Sequence, residues 1–348
     1  MLDNRTAWVV VVASLCCVPC SPLSAQNERI EIDVAATHTL ELRELLRIGS
    51  LEGPADAFGE IRGVALDRVN RLYVADDLNH DIRVFDADGQ LVRVTGRQGE
   101  GPGEFKLPWV VAVDNADTLI VWDQGLMRVS VFDPQGVFRR SFTPPRSWQV
   151  TSVQFMPDGR LLLAAFGDTD RYALHRLDRE GELISEFGSV EVDHNIYPGF
   201  VNSLYGGAAD LTSAGEIIYT RKSPYELLLF NSQGELLRSC VGAEGWTSDP
   251  RDVVEQHPEL MTIHWEQFVH SSGVFAVEGG RYLNSVIDRP NNRTILDLIS
   301  PDCHLLCRHV LNEMLVVKDV RDEYLVATSQ SDIPQVIVFE FSVETRRR

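Results

Sequence analysis

The chain has 348 residues, with 51 Asp and Glu against 32 Lys and Arg and a formal net charge of −19. That balance argues against a nucleic-acid or anionic-membrane surface, which needs clustered basic residues. Six cysteines, three of them before residue 21, make no disulfide framework, and no later stretch has the 18 or more apolar residues of a membrane helix.

The N-terminus reads as an export signal over residues 1–25. Arg5 supplies the positive end, Ala7–Val18 the apolar run, and Leu23-Ser24-Ala25 a cleavage site before Gln26. The expected location is therefore secreted or periplasmic. A lipid anchor on Cys16, Cys17 or Cys20 fits less well, because the residues before each, such as Val18-Pro19, match that signal poorly. Beyond the signal only Cys240, Cys303 and Cys307 remain. Cys240 can pair with either of the others, whereas Cys303 and Cys307 on one strand would lie too far apart.

After an irregular lead-in over 26–40, Glu41–Gly49 matches the LVRVTG strand at 91–96 and is read as a strand without neighbours of its own. Residues 58–96 then hold four short runs, GVALD, RLYVAD, DIRVFD and QLVRV, the last two joined by Asp88-Gly89. Alternation broken by such a dipeptide is a hairpin signal. The unit recurs over 105–142, with Phe58, Asp67, Asp76, Phe85 and Gly89 each mapping 47 residues on, to Phe105, Asp114, Asp123, Phe132 and Gly136. A period in the forties with four strands inside it marks a propeller blade. Further blades follow over about 148–188, 201–241 and 268–311, with a strand-poor insert of helical period at 249–267. A sixth, from Glu313, has three strands (MLVVKDV, EYLVATS and PQVIVFEF), and the strand at 41–49 supplies its fourth. The expected fold is all-β: a six-bladed β-propeller over 41–343 with four-stranded antiparallel blades, closed by an N-terminal strand in the last blade. A basic tail, 344–348, follows.

The stretch GEGPGEFKLPWVVAVDNADTLIVWD resembles the NHL repeat. Blade one matches through Gly63, Val64, Ala65, Asp67, Tyr73, Val74, Ala75, Asp76, Asn79, Val84, Phe85, Asp86 and Gly89. Blade two matches through Gly99, Gly101, Gly103, Glu104, Phe105, Pro108, Val113, Asp114, Arg128, Val131, Phe132 and Gly136, and departs where Ala-Asp becomes Trp122-Asp123. The close match covers about a quarter of the chain. The layout is similar to that of exported bacterial six-bladed propellers with a helical insert before the fifth blade. NHL propellers include RNA- and protein-binding modules and a peptide-amidating lyase, and gluconolactonase-type lactonases share the plan. The resemblance therefore implies a fold and leaves the chemistry open.

The residues narrow that choice. Gly96–Gly103 lacks the following helix and the Lys-Ser/Thr of a phosphate loop, and carries Glu100 and Glu104, so its glycines serve an inter-blade turn. Asp67, Asp76, Asp114 and Asp123 flank tight turns and are expected to cap backbone N–H groups. Cys303, His304, Cys307 and His309 alternate along a strand and do not converge on one ion. His194, His257 and His264 occupy long connections, where recognition groups often sit, without a metal-binding spacing. No G-x-S-x-G elbow is present for a Ser-His-Asp hydrolase.

Registering the blades on their second strands and counting back places Glu60, Leu107, Gln149, Tyr205, His270 and Asn312 at the channel mouth. Five of these six are polar, a ligand-facing pattern near a buried axis. The leading expectation is a monomeric, non-catalytic binding or scaffold module, without cofactor, for an exported protein, peptide or glycan. Its loop face would carry Asp77, Asn79, His80, Gln124, Arg171, Arg221, Lys222, Arg289 and Asn292. The alternative is a lyase or lactonase using a divalent metal ion held by Glu60, His270 and Asn312.

Overall fold

The computed structural model describes residues 28–50, 53, 57–146, 148–167, 171–189, 206–248, 268–329 and 331–346. The expected export signal, the insert at 249–267, and His194, Tyr205, His257 and His264 lie outside the described residues.

Six antiparallel sheets form the blades of one ring. Blade one holds β4 (Ile61–Leu66), β5 (Leu72–Asp76), β6 (Asp81–Phe85) and β7 (Leu91–Thr95). Blade two holds β8 (Pro108–Val113), β9 (Leu119–Asp123), β10 (Arg128–Phe132) and β11 (Phe138–Phe142), and blade three β12 (Gln149–Phe155), β13 (Leu161–Phe166), β14 (Tyr172–Leu177) and β15 (Leu183–Ser189). Blade four has β16 (Ala208–Leu211), β17 (Ile217–Thr220), β18 (Glu226–Phe230) and β19 (Leu236–Val241). Blade five has β20 (Val269–Val277), β21 (Arg281–Asp288), β22 (Arg293–Ile299) and β23 (His304–Leu311). Blade six has β24 (Leu315–Arg321), β25 (Tyr324–Ser329) and β26 (Val336–Thr345), and is completed by the N-terminal β3 (His38–Ile48).

That closure is the expected one. β3 pairs with β26 from Ile48↔Val336 to His38↔Thr345, joining the chain ends in one sheet and removing an open edge. The closing strands are longer than the sequence suggested. β3 starts at His38, and β26 takes Glu344 and Thr345 from the expected tail.

The lead-in is not irregular. β1 (Glu28–Glu31) runs parallel to β19, and β2 (Asp33–Val34) parallel to β23, so blades four and five gain a fifth, outermost strand. The cause is legible afterwards: Ile30 and Ile32 alternate with Arg29, Glu31 and Asp33, and the two isoleucines pack with Cys240, Cys303 and Leu305. The same boundary carries a disulfide from Cys240, on β19, to Cys303, in the turn before β23, with Cα atoms 5.3 Å apart. Cys307 is buried and unbridged.

Six apolar clusters each span the boundary between two neighbouring blades. Middle strands are therefore covered on both faces: every residue of β5 and β9 is buried, whereas the outer strands β7 and β11 are mostly open. Turns between third and fourth strands share one design. Asp86 accepts the N–H groups of Asp88 and Gln90 at 3.1 and 2.8 Å, and Asp133 those of Gln135 and Val137 at 3.0 and 2.8 Å. Gly89 and Gly136 take φ of 79° and 78° there, the left-handed conformation that favours glycine. Among the described residues no helix is long and apolar enough to cross a membrane.

Candidate functional site

The innermost strands β4, β8, β12, β16, β20 and β24 surround the propeller axis, and the starts of β4 and β8 are anchored by buried acids. Asp76 accepts N–H groups from Gly59 (2.8 Å), Glu60 (3.1 Å) and Asn79 (3.1 Å), with the Asn79 amide at 2.7 Å. Asp123 accepts those of Lys106 (2.7 Å), Leu107 (3.1 Å) and Leu126 (2.9 Å), each 47 residues on from its counterpart. Asp67 and Asp114 cap the preceding hairpins in the same way. These recurring acids are structural, as the sequence suggested. Asp76→Ala is expected to cost about 3 kcal/mol of unfolding free energy, since four donors lose a buried carboxylate together. Urea denaturation checks this; a loss below about 1 kcal/mol would show that the caps contribute little.

Five innermost strands share a second feature, a β-bulge near the channel mouth. The extra residue is Arg62 in blade one, Trp109 in blade two, Thr151 in blade three, Ser272 in blade five and Lys318 in blade six. Four bulges sit at the same pairing level and the fifth lies one residue deeper. A bulge re-aims a side chain, and all five residues line one axial cavity of about 320 Å³. Lys222, in the connection between β17 and β18, joins them, and its carbonyl accepts the Ser271 N–H at 2.9 Å.

Arg62 is the best-anchored member. It pairs with Asp77 at 2.7 Å and Glu60 at 2.6 Å and lies 4.3 Å over the Trp109 ring. Lys318 donates to the Arg62 carbonyl at 2.8 Å. Ser272 donates to Ser285, and Thr151 to the Gly207 carbonyl of the next blade. Burial pushes the Lys222 and Lys318 ammonium groups down to about 8, helped at Lys318 by Arg62. Towards the far end, burial raises the carboxyls of Asp319, which accepts Leu66 N–H at 2.7 Å, and Asp210, which accepts Ala276 N–H at 2.9 Å. Asp210 reaches about 7.

The unfolded Lys318 titrates near 10.5 and the folded one near 8. The folded state thus binds its proton less tightly, and wild-type stability rises between those pH values. At pH 7 the buried charge opposes folding by roughly 1–3 kcal/mol. Lys318→Met is expected to raise unfolding free energy by that amount at pH 7, with the gain shrinking as pH approaches 10. A gain unchanged with pH would contradict a buried charge.

The expected mouth ring is only partly realised. Glu60, Leu107, Gln149 and His270 hold the same pairing level, opposite Asp77, Gln124, Phe166 and Ile287. Asn312 does not. β24 and β25 are joined by Asp322 and Glu323 alone, with Arg321 opposite Tyr324, whereas Leu66 faces Leu72 in blade one. That hairpin is three residues shorter, so the equivalent position in blade six is the buried Leu315, and Asn312 lies exposed before the strand. The proposed Glu60–His270–Asn312 metal set is therefore not one level of the channel. Glu60 is engaged by Arg62, and His270 is buried and held down to about 3 by burial and by the charges of Lys222 and Arg289. Cys303 is in the disulfide, which removes it from any cluster with His304, Cys307 and His309. Among the described residues no three His, Cys, Asp or Glu side chains form a metal site.

Of the loop-face residues, Asp77 is buried beneath Arg62, Asn79 caps with Asp76, and His80 Nδ1 meets the Lys106 carbonyl at 2.7 Å. Arg221 pairs with Glu226 at 2.9 Å, and Arg171 is exposed. Sequence reasoning missed Arg62, Trp109 and Lys318. The available signal was Arg62 and Trp109 occupying the same repeat position 47 residues apart, with different chemistry.

The pattern of a family described as "6-bladed beta-propeller" matches residues 29–196. NHL repeat-containing protein 3 of Homo sapiens is 32% identical over 117 residues, covering 28% of this chain and 32% of that protein. The chain folds as a six-bladed β-propeller and, over part of its length, is similar to NHL-repeat proteins. It spans about a third of the length of the curated relatives it matches. Among solved structures this propeller resembles a candidate exported protein of Bacteroides fragilis, with 13% identity, TM-score 0.64, and coverage of 92% of this chain and 100% of that one. It also resembles virginiamycin B lyase of Staphylococcus aureus, with 8% identity, TM-score 0.54, and coverage of 86% and 99%. At such identities the likeness fixes the propeller fold and no chemistry.

Proposed function

We propose that the protein is an exported, non-catalytic recognition propeller, released by cleavage near residue 25, that binds a peptide, a glycan or an envelope protein at its channel mouth. The ring of bulged residues carries this reading. Where the repeat keeps its shape the residue recurs, as Asp76 and Asp123 do. At the bulge the backbone geometry recurs while the side chain changes from Arg62 to Trp109, Thr151, Ser272 and Lys318. Constant geometry with varied chemistry suits a ligand that meets each blade differently. Glu60, Gln149, Arg171 and Arg221 would form the rim, and the reading needs no cofactor.

The test is binding of the purified protein to arrays of exported-protein peptides and of glycans, repeated with Trp109→Ala and in the presence of a chelator. The expected result is a restricted set of ligands, weakened at least tenfold by Trp109→Ala and indifferent to chelation. Ligands retained by Trp109→Ala, or binding that requires a divalent ion, would overturn the reading.

A further inference from the structure

The charge around the axial cavity is opposite to that of the protein. Against a net −19 overall, the charged residues lining the cavity, among the described residues, are Arg62, Lys222, Lys318 and Arg321 on one side of the balance and Asp319 on the other. They are also sorted by sector. Lys222, Ser272, Lys318 and Arg62 come from blades four, five, six and one, which are consecutive in the ring. Blades two and three contribute the neutral arc, with Trp109, Thr151, Ser152 and Gln154.

Within the basic arc Arg62 is already matched by Glu60 and Asp77, and Asp319 by the Leu66 N–H. Lys318 has no ion pair with a described residue. Its ammonium, a three-donor group, meets the neutral Arg62 carbonyl. A cation held in a channel wall without a countercharge is costly, and an arriving anion removes that cost. We propose that the axial cavity is an anion site for a carboxylate-bearing ligand of monosaccharide or dipeptide size. Its carboxylate would lie on the Lys222–Ser272–Lys318 arc and its neutral part against Trp109 and Thr151. This rests on the cavity being the recognition site, and adds the charge of what it recognises.

The experiment is isothermal titration of the full chain with glucuronate against glucose, and with the dipeptide Gly-Glu against Gly-Gln, at low and moderate salt. Either acid is expected to bind at least tenfold more tightly than its neutral counterpart, and more weakly as salt rises. Lys318→Met should remove that preference while Val137→Ala, on an exposed outer turn, leaves it intact. The sugar and dipeptide arms separate the two sources of carboxylate. Equal binding of acid and neutral ligand, no binding of either acid up to roughly 10 mM, or an acid preference that survives Lys318→Met would each overturn the anion site. The broader recognition reading fails separately, if array ligands are indifferent to Trp109→Ala. Because Lys318→Met is expected to stabilise the unliganded protein, lost binding with a raised melting temperature cannot be mistaken for unfolding.

Discussion

Acidification from pH 6.5 towards 3 is expected to lower the unfolding free energy by up to roughly 4 kcal/mol through His270 alone. This histidine lies on the innermost strand of blade five with 7% of its surface exposed. Burial holds its folded-state value down to about 3, and the nearby charges of Lys222, from blade four, and Arg289, from its own blade, act in the same direction. The backbone at Phe268 opposes them weakly. In the unfolded chain the imidazole takes up a proton below 6.5, whereas in the folded chain it stays neutral. The unfolded state binds more protons across that window, so each unit of pH removed costs about 1.4 kcal/mol. Many carboxylates also titrate in this range, so the informative quantity is a difference. Wild type should lose about 2–3 kcal/mol more than His270→Gln between pH 7 and 4.5 in urea denaturation. Equal losses would show that His270 is protonated in the folded ring.

The second large effect is at the boundary of blades four and five. The Cys240–Cys303 bond closes a separation of 63 residues, for which loop closure in the unfolded chain accounts for roughly 4 kcal/mol. It also supports the N-terminal edge strands: Ile30 pairs with Cys240, and the Asp33 N–H donates to the Cys303 carbonyl. The double variant Cys240→Ala/Cys303→Ala is expected to lose roughly 4 kcal/mol in urea denaturation. Amide exchange should accelerate first over Glu28–Val34. A loss under about 1 kcal/mol, or edge strands as protected as in wild type, would contradict this assignment.

Much of the ring was legible because its determinants are local. The 47-residue offset, the Asp-Gly turns and the strand at 41–49 each repeat a pattern that adjoining residues impose, and β3 pairs with β26 as they require. The lead-in was misread because β1 and β2 are single strands added to the edges of distant blades, with the short alternation of Ile30 and Ile32 as their signal. The site was less legible for two physical reasons. Counting back from the second strand assumes hairpins of equal length, and the short Asp322-Glu323 connection moved blade six by three residues, putting Leu315 where Asn312 was expected. A bulge also defeats period-two reasoning, since its one extra residue puts the alternation on its two sides out of phase. Four of the five bulged side chains therefore stood two positions beyond the register that was counted, and Lys318 stood six beyond Asn312.

Recognition in the axial cavity is tested by amide and indole chemical shifts mapped during titration of the protein with a ligand from the arrays. The predicted result is perturbation centred on Arg62, Trp109, Thr151, Ser272 and Lys318, absent in Arg62→Ala and Trp109→Ala. Perturbation confined to the outer strands β7, β11 or β15, with those five residues unmoved, would contradict it.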